Sequence, residues 1–553
     1  MEVVDKSRRY DRQIRIWGSH GQRNLENSKV ALINCSATGS EVLKNLVLGG
    51  IASFCIVDNA KVTRRDLGNN FLVEHSHLGE SRAKVVTALL QELNESVAGS
   101  YVEEDPSTLM SSNPAFFSNF TLVIATQVHE LETVRLDELC RQMKIPLLVA
   151  RSYGLVGYLR VSVPEHLVIE SKPDNSVDDL RLHSPFPELL EFVNSFDLIN
   201  MDDLMHQHIP FVVLLLKAAE KWRKLRDGVH SSAVPSAEAT ISPVCASKDR
   251  AMLKDIINGM RRQSPEGLPT DHANFDEALK AAFHVHSPPV AIPSEVQSIL
   301  DDSCATQLTA ESDDFWIIVS ALKSFMDNEG NGQLPLQGSI PDMHALTDLY
   351  LSLQHLYRDK AEADVSHVEA RVQALLKKLG RDSNSISRET VRLICRNARN
   401  LRLVRYRTLM EEFGGESSSN RGCSVLQIAL HGEQSSLHEA ASVYVLLRAA
   451  DKFFAAYGRY PGCYDGQIEA DVPALKSLTT QILNEVGATG SSVSDDCVVE
   501  MCRFGAAELH VIAAVMGGMA AQEVIKVITK QFTPAPGTLI YNGIHATMNI
   551  FYL

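Results

Sequence analysis

The stretch from Lys29 to Asp58 constrains the fold most. An apolar, β-branched run, Lys29-Val30-Ala31-Leu32-Ile33, passes through Asn34-Cys35-Ser36-Ala37-Thr38-Gly39 into a helical pattern, and a second run, Phe54-Cys55-Ile56-Val57, ends at Asp58. Strand, tight turn, helix and strand within about 30 residues describe a parallel βαβ unit, with an acid placed where a ribose hydroxyl would lie. The glycines that let such a turn hold phosphate are missing. The first two serve the bend and the close approach of backbone to phosphate, and Asn34 and Ser36 take their places; only Gly39, which serves helix packing, is present. The unit argues for the fold and against an ordinary phosphate cradle.

The alternation continues beyond Asp58. Thr121-Leu122-Val123-Ile124 and Pro146-Leu147-Leu148-Val149 read as buried strands, helical stretches lie near 39–48, 81–94 and 129–143, and a further strand is expected over 158–163. This pattern predicts an α/β domain on a doubly wound parallel sheet. After Glu165 the texture changes to long amphipathic helices, among them Phe315 to Met326, Met343 to Leu379 and Ala440 to Tyr457. Polar, Ser/Gly/Pro-rich stretches at 228–243, 263–270 and 414–422 read as loops or links. A chain of 553 residues is expected to hold more than one domain. The changes of texture divide it into residues 1–165, a mainly helical insertion over 166–490, and a return to the first domain over 491–553. The return rests on a small-residue helix over 505–529, with Gly517 and Gly518 read as close-packing positions, and on a short strand over 538–541.

Fifty-three Lys and Arg against 68 Asp and Glu leave a formal charge of -15, which repels a phosphate backbone and argues against nucleic acid. The ten cysteines form neither a disulfide framework nor a zinc-like double pair, so a reducing compartment, cytoplasm or nucleus, is expected. The first residues lack the basic start and apolar core of a secretion signal. The longest apolar run, Ile209 to Leu216, is too short to cross a bilayer, and no membrane partner is expected. Cys245, Cys304, Cys395, Cys423 and Cys463 lie in no recognisable nucleophile motif, and none is assigned a reaction. His75/His77, His206/His208 and His284/His286 would face one way on strands, yet lack companions at ligand spacing, so no metal site is expected.

Several stretches carry a resemblance. Tyr10-Asp11-Arg12-Gln13-Ile14-Arg15-Ile16-Trp17-Gly18, the degenerate turn at 34–39, Tyr153-Gly154-Leu155-Val156-Gly157-Tyr158 and Ala520-Ala521-Gln522-Glu523-Val524-Ile525-Lys526 together resemble the adenylating enzymes that activate ubiquitin-like proteins. Leu334-Pro335-Leu336-Gln337-Gly338-Ser339-Ile340-Pro341-Asp342 and Gly458-Arg459-Tyr460-Pro461-Gly462 are more specific. They resemble the regulatory subunits of the heterodimeric neddylation activating enzymes, over a span from Tyr10 to the C-terminus. The resemblance implies a Rossmann-like adenylation fold that is pseudo-catalytic, and a helical insertion that forms half of a catalytic-cysteine domain without the cysteine. It implies a catalytic partner subunit that adenylates a ubiquitin-like modifier with MgATP, carries it as a thioester and passes it to a conjugating enzyme. Regulatory subunits for SUMO activation are the alternative within the family. A free-standing dinucleotide-dependent enzyme, disfavoured by Asn34 and Ser36, and a scaffold without chemistry are the others.

Active halves of that family follow the second strand with an Asn-Leu-x-Arg-Gln-Phe run, carry a Lys before the next helix, and place a metal-binding Asp after the fourth strand. Here the run is Asp66-Leu67-Gly68-Asn69-Asn70-Phe71, with Asn69 at the Arg position; Gly79-Glu80-Ser81-Arg82-Ala83 replaces the Lys-bearing stretch, and Gln127 stands at the metal position. With Asn34, Ser36 and Asp58, these departures imply that this chain alone binds no cofactor and that MgATP is used by the heterodimer. Arg12 remains. On a helix turning about 100° per residue, Tyr10, Ile14 and Trp17 share one face and Arg8, Arg12 and Arg15 the other. Spacing alone describes a solvated face; the resemblance implies that Arg12 reaches in trans to the partner's ATP phosphates, a task suited to a guanidinium. Gly330, Asn331, Gly332, Pro335, Gly338, Ile340, Pro341 and Asp342 are expected to contact the catalytic subunit.

Overall fold

The computed structural model describes residues 6–172, 178–226, 247–262, 273–286, 291–414, 421–432, 435–464 and 466–553. The chain forms two compact units, Met1–Val168 with Leu403–Leu553, and Ile169–Arg402.

Eight strands make the sheet of the first unit: β1 Lys29–Ile33, β2 Ser53–Val57, β3 Ala98–Val102, β4 Leu122–Thr126, β5 Leu147–Tyr153, β6 Val156–Ser162, β7 Thr538–Asn542 and β8 Thr547–Phe551. Their order is β8-β7-β6-β5-β4-β1-β2-β3. β3, β2, β1, β4 and β5 are parallel, whereas β6, β7 and β8 extend the sheet antiparallel. The doubly wound core is therefore as expected. Val30, Ala31, Leu32 and Ile33 are all withdrawn from water because helices cover both faces of a central parallel strand. β3, Ala-Gly-Ser-Tyr-Val, escapes sequence reading because it sits at an edge, half exposed and without an apolar run.

On one face, helices Ala37–Gly49, Arg82–Leu93 and His510–Thr529 pack over Leu32, Ile56 and Ile124. Helix His510–Thr529 is long and apolar enough to cross a membrane by length and composition. Here it lies against helix Ala37–Gly49. A Cβ on Gly517 would come within 2.4 Å of the Glu41 Cβ, so this glycine is needed for the approach. Gly518 faces open space, and the expected packing role falls to Gly517 alone.

The other face changes the domain boundary. Helices Glu130–Gln142, Ser436–Tyr457, Ile468–Glu485 and Asp495–Phe504 share a core with Val57, Val123 and Val149. The chain thus returns to the first unit at 403 rather than 491. Helical periodicity says that a helix has an apolar face, but not which surface receives it. Buried ion pairs hold this layer to the sheet: Arg151 Nη1 meets Asp451 Oδ2 at 2.6 Å, and Arg160 Nε meets Glu412 Oε2 at 2.9 Å with both side chains almost fully buried. Tyr158, Tyr444 and Thr538 hydroxyls donate to the second Glu412 oxygen.

The second unit is helical, as expected, with its own core around Trp222, Phe275, Leu353 and Tyr357. Its longest helices among the described residues are Thr347–Lys378 and Phe211–Arg226. The punctuation at 228–243 and 263–270, and most of that at 414–422, lies outside the described residues.

Candidate functional site

The strand order reverses between β1 and β4, which is where a doubly wound sheet opens a crevice for a ligand. Both strands leave the sheet through a left-handed residue, Asn34 at φ 65° and Gln127 at φ 54°. Asparagine tolerates that conformation because its short amide bonds locally. Gln127 is held there by a reciprocal pair: its Nε2 donates to the Ser152 carbonyl and its Oε1 accepts from the Ser152 amide, both at 2.8 Å. The side chain at the family's metal position is thereby used as an extension of β5. Gly39 serves packing as its place in the motif suggests, since a Cβ would meet Asn34 O and Thr126 Oγ1 at 2.8 Å.

Arg82 lies at the start of helix Arg82–Leu93, whose N-cap Ser81 accepts from the Lys84 amide. Its guanidinium is shared three ways: Nε donates to Asp58 Oδ2 at 2.8 Å, Nη1 to Asp66 Oδ1 at 3.0 Å and Nη2 to Asn34 Oδ1 at 2.8 Å. Asp58 also accepts the Cys35 and Ala60 amides at 2.9 and 2.8 Å, so the acid expected near a ribose is spent inside the chain. Burial would raise the Asp66 carboxyl, but hydrogen bonds from Thr63 and the charge of Arg82 hold it below its ordinary value. Burial also pushes the neighbouring Cys35 thiol up to about 12, which leaves it unreactive at neutral pH.

The start of helix Ala37–Gly49 is occupied by a residue that motif reading does not find. Glu508 Oε2 accepts from the Thr38 amide at 3.0 Å, the Thr38 hydroxyl at 2.7 Å and the Ser36 hydroxyl at 3.0 Å. Asn69 donates its Nδ2 to the Glu508 carbonyl at 3.0 Å, and the Gly154 amide donates to Ala507 O at 2.7 Å. Burial raises the Glu508 carboxyl above its ordinary value, opposed by these bonds from Thr38 and Ser36 and by the charge of Arg82. The pocket brings together Asn34, Ser36, Gly39, Asp58, Asn69, Arg82 and Gln127, as the motif implies, and adds Asp66, Ser152 and Glu508. The nucleotide positions bond to one another and to chain groups, so they do not fit MgATP.

Arg12 lies elsewhere, on helix Asp11–Glu26, which kinks at Gly18 with φ 67°. Tyr10 is buried and its hydroxyl accepts from Asn94 Nδ2 at 3.0 Å. Trp17 O accepts from Gln531 Nε2 at 2.7 Å. Arg12 is exposed and makes no ion pair among the described residues, whereas Arg15 pairs with Asp11 at 2.9 Å. The expected anchored face is present at Tyr10 and Trp17, and Arg12 and Arg15 are exposed on this helix, whereas Arg8 lies on a separate short helix, Lys6–Arg9, so the expected three-arginine stripe is not carried by one helix.

The loop of the second unit is more inward than expected. Pro335 and Ile340 are buried in their own unit, so they do not offer side chains to a partner. Leu334, Pro335, Leu336 and Ile340 are all buried, as in a loop packed on its own core. The Leu336 amide donates to Asp364 Oδ2 at 3.0 Å, and Gly338, at φ 83°, passes so close to helix Thr347–Lys378 that a Cβ would lie 2.8 Å from Ala361 Cβ. Gly330 and Gly332 close the end of helix Asp314–Asp327, donating to Phe325 O and Met326 O. Asn331, Gly332 and Asp342 are exposed, and Pro341 is half-buried.

Cys395 is buried, Cys463 partly so and Cys304 exposed; Cys245 and the side chain of Cys423 lie outside the described residues. The histidine pairs lie in short helical turns rather than on strands, and no group that could hold a metal forms among the described residues.

The ThiF family profile matches residues 10–553. The NEDD8-activating enzyme E1 regulatory subunit AXR1 of Arabidopsis thaliana is 47% identical over 98% of this chain and 95% of its own length. The NEDD8-activating enzyme E1 regulatory subunit of Gallus gallus is 44% identical over 99% of this chain and 98% of its own. That of Saccharomyces cerevisiae is 26% identical over 97% and 98%. An adenylation fold with its nucleotide positions bonded to one another, matched from end to end by relatives of this name, belongs to the ThiF family and, within it, to the NEDD8-activating enzyme regulatory subunits.

Proposed function

We propose that this chain is the non-catalytic half of an activating heterodimer for the ubiquitin-like modifier of cullins. A catalytic subunit adenylates the modifier with MgATP, takes it as a thioester on its own cysteine and hands it to a conjugating enzyme. This chain completes the pair and lends Arg12 to the partner's ATP phosphates. The observation that carries the reading is a contrast of arginines. Arg82, in this chain's own pocket, is saturated by Asp58, Asp66 and Asn34, while Arg12 stands exposed and without an ion pair among the described residues. A guanidinium keeps its charge and presents paired donors, which suits phosphate oxygens in another subunit. The SUMO-activating alternative is set aside, because the relatives named above carry the neddylation name along the whole chain. Cys35, Cys55, Cys140, Cys395 and Cys502 are buried thiols outside any disulfide, which suits the cytoplasm or nucleus.

Co-expression with a catalytic subunit and an assay of thioester formation tests the reading. The expected result is a thioester on the partner that requires this chain, with no ATP–pyrophosphate exchange by this chain alone. Exchange by the isolated chain at the rate of an active homologue would overturn it.

A further inference from the structure

In a doubly wound sheet the start of the helix after β1 is where a nucleotide phosphate is held, by amides whose dipoles favour an anion. Here an anion is already in that place, and it comes from the chain. Three donors, one amide and two hydroxyls, converge on the single oxygen Glu508 Oε2. A local cap would come from the helix's own N-cap residue, yet Ser36 makes no such bond to the helix. The acceptor arrives instead from 470 residues away. The segment that delivers it is bent and pinned. Gly505 and Ala506 are left-handed at φ 53° and 57°, and the bonds from Gly154 and Asn69 hold Ala507 and Glu508 in place. Asn69, at the family's arginine position, thus fastens the segment that fills the cradle.

We propose that Glu508 is an internal ligand, its carboxylate standing where a phosphate would lie, so that the cradle is shut by this residue and not merely impoverished by its lost glycines. The inference rests on the non-catalytic reading and names what closes the pocket. The donors of an oxyanion site are all still present in Ser36 and Thr38. Without the carboxylate these three donors lose their acceptor, and a tetrahedral oxyanion would supply one in its place.

The test uses the full chain and inorganic phosphate, with chloride at matched ionic strength as the reference, followed by calorimetric titration and by the melting temperature. The wild-type chain is expected to show no phosphate-specific response. Glu508→Ala is expected to melt lower in chloride, to recover in phosphate, and to bind phosphate at least tenfold more tightly than wild type. Ser36→Ala with Thr38→Val in that background should abolish the response. Glu508→Asp keeps the charge but is one methylene short; it gives an intermediate response and serves if the alanine variant does not fold. Responses of both Glu508 variants within twofold of wild type would overturn the proposal, and so would a wild-type response as strong as that of Glu508→Ala. No ATP or partner is present, so failure here leaves the thioester assay untouched, and a missing thioester leaves this result standing.

Discussion

Arg82 and Asp58 meet at 2.8 Å with side-chain exposures of 12% and 3%, at the point where a Rossmann-like fold would bind a ribose. The pair is part of a set, since the same guanidinium also serves Asp66 and Asn34. Removing one partner of a buried pair leaves an uncompensated charge, which typically costs about 3–5 kcal/mol. Arg82→Ala is expected to lose stability in that range, read as a lower urea midpoint. Arg82→Lys should recover only part, because one ammonium cannot reach three acceptors in the planar arrangement a guanidinium offers. A midpoint unchanged by Arg82→Ala would show that the set adds nothing to stability.

Arg12→Ala should leave folding almost unchanged, within about 0.5 kcal/mol for an exposed side chain without an ion pair. It should slow adenylation by the partner about tenfold to a hundredfold, the equivalent of roughly 1.5–3 kcal/mol for a charge-assisted contact. Arg15→Ala is the control, because its exposed pair with Asp11 adds little. Equal and small effects of both in single-turnover adenylation would leave the chain a scaffold.

The loop at 330–342 separates self-packing from docking. Ile340→Asp puts a charge into the core of the second unit and should lower its melting temperature whether or not a partner is present. Asp342→Lys changes an exposed residue and should weaken co-purification with the catalytic subunit without moving the melting temperature. An unchanged dimer affinity for Asp342→Lys would remove this residue from the interface.

His166 makes the first unit sensitive to acid. Burial, helped by the charge of Lys530, lowers its pKa from 6.5 to about 4. The unfolded chain therefore takes up a proton that the folded chain refuses. The contribution is present above pH 6.5 and is lost as the pH falls toward 4, reaching on the order of 3 kcal/mol. Urea titrations across this window should show a flatter pH dependence for His166→Gln than for wild type; parallel curves would exclude His166 as the cause.

Much of the sheet was legible because central parallel strands are continuous apolar runs, and Val30 to Ile33 cannot be mistaken for a surface element. The edge strand Ala98–Val102 was not, since an edge requires no such run. The altered nucleotide positions were legible one by one, but not their new bonds. The resemblance sets Gln127 at the metal position of active relatives, and local sequence gives no sign that its amide pairs with Ser152. Glu508 was invisible for the same reason: its partner Thr38 is set by topology, and no spacing rule connects the two. The loop at 334–342 misled because the residues that identify a family there include ones, such as Ile340, that the fold keeps for its own interior.

The discontinuity of the first unit bears on how the chain is made. Strands β7 and β8 and the helix ending at Thr529 leave the ribosome after the rest of this sheet, yet β7 pairs with β6 and that helix covers the strands formed first. The inserted unit, contiguous from Ile169 to Arg402, has its whole core available earlier in synthesis. The open edge of β6 must wait, unpaired, through the translation of more than half of these residues, and Glu508 reaches its place only after the inserted unit has been made. A truncation short of β7 would therefore do more than trim a terminus: it would leave a nascent sheet with a permanent open edge, the kind of surface that invites aggregation.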